Sequence, residues 1–463
     1  MIRFSFTAFA MLIGTSLCWP VQAQMIAPLP VVVTDKEGVP SVREPVGPTL
    51  HAPSPSSLDS THCLSFTTAL RLATGHSPER TLAQAEQQIA RARLKQERGT
   101  GLPSLSAYAR AADGDTGLVD GRTNTQSGLI ASQRIFDFDQ GHFRMKAARE
   151  RSRAALFKIV DASTQARIKA GETYLDILEA RERLAAARRR ESRFTELSNG
   201  VDRRLETGLI TKATASSILA EAASASAQRV EVELAMETAQ IEIGLLTGNT
   251  QSLCGKTDDV NKTLDLPPVV MHGPFDSLSA AMAAPDVKAA MAMRDAALAD
   301  LETSRRLQRP VISIKGIGAY QYDELLKRWE FAKKIGLDIE MPLYSGGSYG
   351  GERDEARARA ASAAGDIQRL TRNYRRQLEQ GIQRIHALGD VASARDEAVA
   401  AQRDEVAAVR EQFERGLRPY QDYERAEADL AQSEVSSIAA HYAALRERLQ
   451  VLALLGLLPA KMH

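Results

Sequence analysis

The sequence predicts an α+β chain in which very long α-helical coiled coils carry two β-hairpins. Three observations predict it. Prolines are absent from 104–266 and from 343–418, and an interior proline costs a helix about 3 kcal/mol, so both stretches permit long rods. Landmarks recur at a nearly constant offset along the chain, which marks a duplication. Period-two alternation of apolar and polar residues then interrupts the helical pattern at equivalent places.

The 463 residues carry a net charge of +1, with 25% charged and 5% aromatic residues. Near-neutral charge gives no basic field for nucleic acid. Few aromatics with abundant alanine point to helices packed closely side by side rather than to one thick core.

Residues 1–23 read as a secretory signal. Arg3 supplies the positive region, Phe4 to Leu17 the apolar one, and Val21-Gln22-Ala23 the cleavage site. Cys18 follows Leu17, and processing before a lipidated cysteine wants a small residue there, which argues against a lipoprotein. The apolar stretch falls short of the roughly 20 residues a spanning helix needs. Residues 24–62 hold seven prolines and read as an extended arm. Beyond the signal no run of 18 apolar residues occurs. A membrane could then be entered only as a β-barrel.

The repeat pairs Ser77-Pro78-Glu79 with Ala284-Pro285-Asp286 and Leu102-Pro103-Ser104 with Arg309-Pro310-Val311, both 207 apart by subtraction. Ile135-Phe136 pairs with Leu343-Tyr344, Gly208-Leu209 with Gly416-Leu417, and Leu245-Leu246-Thr247-Gly248 with Ala453-Leu454-Leu455-Gly456, each 208 apart. The halves span 63–256 and 285–457, joined by a linker at 257–284, with a tail at 458–463. Each half reads as helix, hairpin (102–136 and 310–344), long helix, Gly-Leu turn and returning helix.

Trp329, Phe331, Ile335, Leu337, Ile339, Met341 and Leu343 share one parity, and Lys333 alone spoils that face. Ile312, Ile314, Tyr320 and Tyr322 mark the partner strand. Alternation is weak at 104–111 and 128–136. The long helices run from Gly141 to about Glu206 and from Gly347 to about Arg415, roughly 100 Å each. Such rods need partners along their length. Leu156, Ile159, Ser163, Ala166, Ala170, Thr173, Ile177, Ala180 and Leu184 form a three-four seam on the first. Ala431, Val435, Ile438, Tyr442, Leu445, Leu449 and Leu452 form another on the last helix. The run Arg188-Arg189-Arg190 reads as a solvated face.

Four strands cannot close a membrane barrel, and open edges in lipid leave backbone groups unpaired. Two chains would supply eight strands and three would supply twelve. A soluble periplasmic scaffold or adaptor would share the rods but would not need the hairpins.

The ordered pieces LSFTTALRLATGHSPERTLAQAEQQIARAR, GLPSLSAYA, IFDFDQG, RLETGLIT and IEIGLLTGN, repeated as RPVISIKG, MPLYSGG, FERGLRPYQDYERAEADLAQSE and LALLGLL, resemble TolC-like outer-membrane efflux proteins over about 64–457. The resemblance implies a homotrimer with a twelve-strand barrel in the outer membrane and a helical tunnel reaching into the periplasm. It implies an exit duct for efflux or type I secretion. The implied partners are a periplasmic adaptor and an inner-membrane pump or ABC transporter.

By the same resemblance Gly208, Leu209, Gly416 and Leu417 sit at adaptor-contacting tips, with Pro419 suited to the first position of the returning helix. Arg418 and Asp422 match a pair that narrows the periplasmic end. Arg425 and Thr214 stand where the family often places further acidic residues, which weakens a doubled acidic ring. Cys63 opens the first repeat and Cys254 closes it, so an up-and-back repeat would return them to one level, where an oxidising compartment favours a disulfide. No catalytic, cofactor or metal site is expected. The eight histidines are scattered without ligand spacing, and Gly316-Ile317-Gly318 lies in a strand rather than before a helix.

Overall fold

The computed structural model describes residues 63–112, 124–272, 275–323 and 328–458. The expected signal, the proline-rich arm and the tail from 459 lie outside them. In order the elements are α1 (Phe66–His76), α2 (Pro78–Gly99), β1 (Ser104–Ala112), β2 (Asn124–Phe136), α3 (Gln140–Asn199), α4 (Val201–Glu206) and α5 (Lys212–Thr247). There follow α6 (Thr257–Thr263), α7 (Pro268–His272), α8 (Ser277–Ala283), α9 (Pro285–Ser304), β3 (Val311–Asp323), β4 (Arg328–Glu340), α10 (Ser348–Glu414) and α11 (Tyr420–Leu454). The stretch 257–284, read as linker, therefore contains three short helices. The first rod is also broken: Gly200 ends α3 and α4 resumes at once. A mid-helix glycine carries an entropic cost that favours such a break.

The strands form one antiparallel sheet in the order β1-β2-β3-β4. The register explains why β1 and β2 look weak alone. Leu105 pairs with Ala131 and Ala107 with Leu129. Leu129 pairs with Gly318, and Ile314 with Leu337. One continuous face thus runs from Leu105 through Leu129 and Ile314 to Ile335, Leu337 and Ile339, all exposed. The other face carries Ser106, Ser132, Lys315, Lys334 and Asp338, with Lys315 donating to Asp338. Apolar alternation is a property of the sheet here, and β4 carries most of it.

The helices pack in sequence: α5 on α3, α3 on α11, and α11 on α10. At the sheet end, α2 and α9 flank α3, and α9 meets α10. Glycines let α11 approach both rods. A Cβ on Gly171 would lie 2.7 Å from Leu449, and one on Gly381 2.7 Å from Val451. The core here gathers Leu70, Tyr174, Ile177, Leu378, Tyr442 and Leu449. Tyr174 fastens the two ends of the first repeat: its hydroxyl donates to Leu64 O at 3.3 Å and accepts from Gly255 N at 3.0 Å. Leu64 and Leu253 form a parallel bridge.

The duplication extends to backbone strain. Phe138 and Asp139 hold φ of 50° and 67° where the sheet turns into α3; Gly346 and Gly347 hold 62° and 91° where it turns into α10. Non-glycine residues in that region cost roughly 1–2 kcal/mol each. Asp137 offsets this in the first repeat, accepting from Gly141 N at 2.8 Å beside Arg134.

The predicted seams hold where the end of α11 packs on the middle of α3 and α10, and fail on either side of it. Tyr442, Leu445, Leu449 and Leu452 are buried. Farther down, Leu430, Glu434 and Ser437 are buried in place of Ala431, Val435 and Ile438, a shift of one residue. In α3, Ala170 to Leu184 are buried but Leu156 is exposed. Among the described residues no helix is long and apolar enough to cross a membrane.

Candidate functional site

Both helical hairpins end in the same turn. Gly208 N–H bonds to Leu205 O and Leu209 N–H to Arg204 O, at 3.1 and 2.9 Å; Gly416 N–H bonds to Phe413 O and Leu417 N–H to Gln412 O, at 2.9 and 2.8 Å. With φ of 71° and 72° at the glycines, each is a Schellman motif that satisfies the last carbonyls of the descending helix. The next residue is pushed outward: Leu209 is 73% and Leu417 72% exposed. Two greasy side chains therefore stand in solvent at the tips, held there by backbone geometry.

The first return starts on Thr211, whose hydroxyl accepts from Thr214 N at 3.2 Å. The second differs from expectation. Pro419 is the N-cap and Tyr420 the first helical residue. Arg418 consequently precedes the helix, yet its Nη1 still comes 3.8 Å from Asp422 Oδ2, with both side chains nearly half exposed. That separation is an ion pair without a hydrogen bond, and exposed pairs of this kind contribute about 0–1 kcal/mol. Arg425 is exposed three residues farther on.

Behind the tips lies a second core of Phe194, Val201, Ile218, Phe413, Tyr420 and Tyr423. Phe413 stacks on Tyr423 at 6.0 Å, and Arg204 lies over Phe413 at 5.7 Å. Inside it is an acid the sequence analysis missed. Glu427 is fully buried. Arg193 places Nε 2.7 Å from one carboxylate oxygen and Nη2 2.8 Å from the other, while Tyr423 donates its hydroxyl at 2.8 Å. Burial, then the adjacent carboxylate, holds the Tyr423 phenol above its usual range. Two turns up, Glu434 is gripped by Arg189 at 3.2 Å and by Arg403 at 2.7 Å. The arginine run is more than a solvated face: Arg188 and Arg189 are exposed and Arg190 is partly buried, and all three are paired. Arg188 pairs with Glu233, Arg189 with Glu434 and Arg190 with Glu221. The signal was present as Arg189 and Arg193 on one rod against Glu427 and Glu434 on an antiparallel one.

Cys63 and Cys254 are free thiols in the structure. They are neighbours: Cys254 N–H bonds to Leu64 O at 3.1 Å. Burial, then a hydrogen bond with Cys63, pushes the Cys254 thiol up to about 11. Among the described residues no cluster of His, Cys, Asp and Glu could hold a metal ion.

A family model described as outer membrane efflux protein matches residues 69–249 and 279–457. No curated protein matches the sequence. Among solved structures, the CmeC outer membrane channel of Campylobacter jejuni is similar at a TM-score of 0.73 and 15% identity, over 85% of this chain and 86% of that one. The MtrE outer membrane channel of Neisseria gonorrhoeae, in its open state, is similar at 0.70 and 17%, over 88% and 94%. The outer membrane protein VceC of Vibrio cholerae is similar at 0.69 and 18%, over 84% and 96%. At these identities the likeness is one of fold.

Removing one partner of a buried ion pair strands the other charge, at about 3–5 kcal/mol. Glu427→Ala is therefore expected to lower unfolding stability by that order, with Glu427→Gln costing less because it can still accept from Tyr423. Pairing Glu427→Leu with Arg193→Met should recover most of the loss. Chemical denaturation in detergent checks the series.

Proposed function

The chain belongs to the outer membrane efflux protein family, and from that premise we propose how its parts divide the work. It is an outer-membrane channel subunit that extends into the periplasm, and its transport is passive. The observation that carries this reading is the sheet: one apolar face, one polar face and two open edges. Lipid tolerates no unpaired edge, so copies must close the barrel. A homotrimer supplies twelve strands, enough for an aqueous lumen. The rods, about 100 Å for the 67 residues of α10, continue the wall as a tunnel toward an inner-membrane pump or ABC transporter.

The tips are the docking points for a periplasmic adaptor. Leu209 and Leu417 are exposed side chains on rigid turns, suited to apolar pockets on a partner helix pair. Leu209→Glu and Leu417→Glu together are expected to abolish adaptor crosslinking while trimers survive, because neither side chain supports the fold. Unchanged crosslinking would remove the tips from the contact.

Arg418 and Asp422 form the periplasmic gate. Three Asp422 carboxylates around the axis repel one another unless cations offset them, and an exposed link near 3.8 Å is cheap to exchange. The double substitution Arg418→Ala with Asp422→Ala should raise single-channel conductance in planar bilayers several-fold. Equal conductance would locate the constriction elsewhere.

In the oxidising periplasm Cys63 and Cys254 close a disulfide. The backbone contact between their neighbours brings the ends of the repeat together, and the loop so closed is worth at most about 5 kcal/mol in the chain-entropy model. Maleimide labelling of the unreduced mature protein should find no free thiol until reductant is added; immediate labelling of both would end this assignment.

A further inference from the structure

One charge stands on the apolar face of the sheet, and the roles assigned so far leave it unused. Cross-strand pairing sets Gly318 opposite Lys333, Gly316 opposite Ile335 and Ile314 opposite Leu337. Leu129 and Ala131 come next in the first two of these rows. Lys333 is exposed on this face. Glu330, Asp338 and Glu340 have the opposite parity on β4 and belong to the polar face. Two of them are engaged there: Asp338 accepts from Lys315, and Glu330 pairs with Arg328 at 2.7 Å. Among the described residues no acid shares the face of Lys333.

The surroundings of Lys333 form a notch. Gly316 and Gly318 leave a depression of about 570 Å³ between Leu105, Leu129, Ile335 and Lys333. Glycine in a strand interior marks a place where something approaches the backbone closely. A Cβ on Gly316 would meet only Ile335 Cγ1, at 4.0 Å, and one on Gly318 only the Phe331 ring, at 3.4 Å. Toward the hairpin ends Phe331 and Tyr320 lie side by side at 5.1 Å, with Trp329 beyond, all exposed. Toward the rods Ile335, Leu337, Ile339, Met341 and Leu343 are exposed in turn. From 333 to 343, at about 3.3 Å per residue and a tilt of roughly 40°, the chain climbs about 25 Å. That is the height of the apolar band of a membrane barrel, which aromatic residues rim. Lys333 therefore sits at one edge of the band, and its flexible stem carries the ammonium to the level of the rings.

We propose that this notch binds a phosphorylated glycolipid of the outer leaflet, with its phosphate on Lys333 and an acyl chain in the depression over Gly316 and Gly318. The inference rests on reading the apolar face of the sheet as the lipid-facing one. The rods leave the sheet at the end opposite the hairpin loops, so the edge of the band that carries Lys333 lies in the leaflet away from the periplasm. A lysine on a lipid-facing strand is costly at the bilayer midplane and cheap near the interface, where headgroups offer the opposite charge. Its ammonium is a compact charge with three donors, suited to phosphate oxygens. The rows beside and below it offer only apolar contact, which suits acyl chains. β4 is an open edge of the sheet, so in a closed ring each site lies beside the boundary with the next copy.

Native mass spectrometry of the full chain, extracted in detergent and given bis-phosphorylated lipid A, tests the site. The wild-type trimer should retain lipid A about tenfold more than its dephosphorylated form, which has the same acyl chains. Lys333→Gln should lower retention of lipid A about tenfold, and Lys333→Arg should restore most of it. Lys334→Gln removes the same charge from the polar face and should leave retention unchanged. Gly316→Leu fills the depression, keeps the lysine and should lower retention several-fold. Equal retention of lipid A by wild-type and Lys333→Gln trimers overturns the site and leaves the ring standing, whereas a single-chain mass overturns both. Stronger retention of phosphatidylglycerol than of lipid A overturns the glycolipid as the occupant. If Lys333→Gln does not assemble, the wild-type trimer alone decides, because equal retention of the phosphorylated and dephosphorylated forms overturns the site.

Discussion

The hydrogen-bonding demand of the sheet edges governs the rest of the molecule. A four-stranded antiparallel sheet with the order β1-β2-β3-β4 leaves a row of N–H and C=O groups along each outer strand. Water can satisfy such groups and lipid cannot. Placing this sheet in a bilayer therefore requires other copies, and closed association about an axis sets the height of every element. The rods inherit that geometry because each is continuous with a strand through only a few residues. The left-handed backbone at Phe138 and Asp139, matched by Gly346 and Gly347, is where strand direction becomes helix direction. The second repeat meets the demand with glycine and the first tolerates strain there beside the Asp137 hydrogen bond.

Charge serves two different purposes near the tips. Glu427 and Glu434 are buried among arginines from both repeats, where desolvation is expensive and a lost partner is costly. Such pairs tie α3 to α11 and α11 to α10 in a single register. Arg418 and Asp422, only a turn or two away in sequence, are half exposed and 3.8 Å apart. Water and salt screen them, so their link can be exchanged at little cost. A rigid buried tie above a weak exposed one suits the gate proposed at Arg418 and Asp422.

Apolar stripes on α5 and α10 belong to the same logic. Within the chain α5 packs mainly on α3, and α10 on α11 with α9 and α8 besides, and the stripes lie on the sides that these contacts leave exposed. These stripes are exposed apolar surface in the single chain, large at Val230, Leu234, Ile241 and Val391 and elsewhere mostly alanine.

Much of this was legible in the residues alone. The duplication, the two rods, the Gly-Leu turns and the alternation of β4 follow from local rules: proline exclusion, glycine at positive φ and side-chain periodicity. The repeat placed strands β1 and β2 as well, but their apolar face was not legible, because it exists only when cross-strand pairs such as Ala107 with Leu129 are known. Leu430, Glu434 and Ser437 point inward because arginines on two other helices reach Glu434, and a polar residue at a buried position carries no local mark of its distant partner. Sequence by itself determined the long helices, the strands and where the chain reverses, since those preferences are set by neighbours within a few residues, while the short helices of 257–284 and the break at Gly200 escaped it. Only the tertiary structure decided which face of each helix is buried, which acids are paired and which edges stay open, since those depend on groups more than 200 residues apart, as Arg193 and Glu427 are.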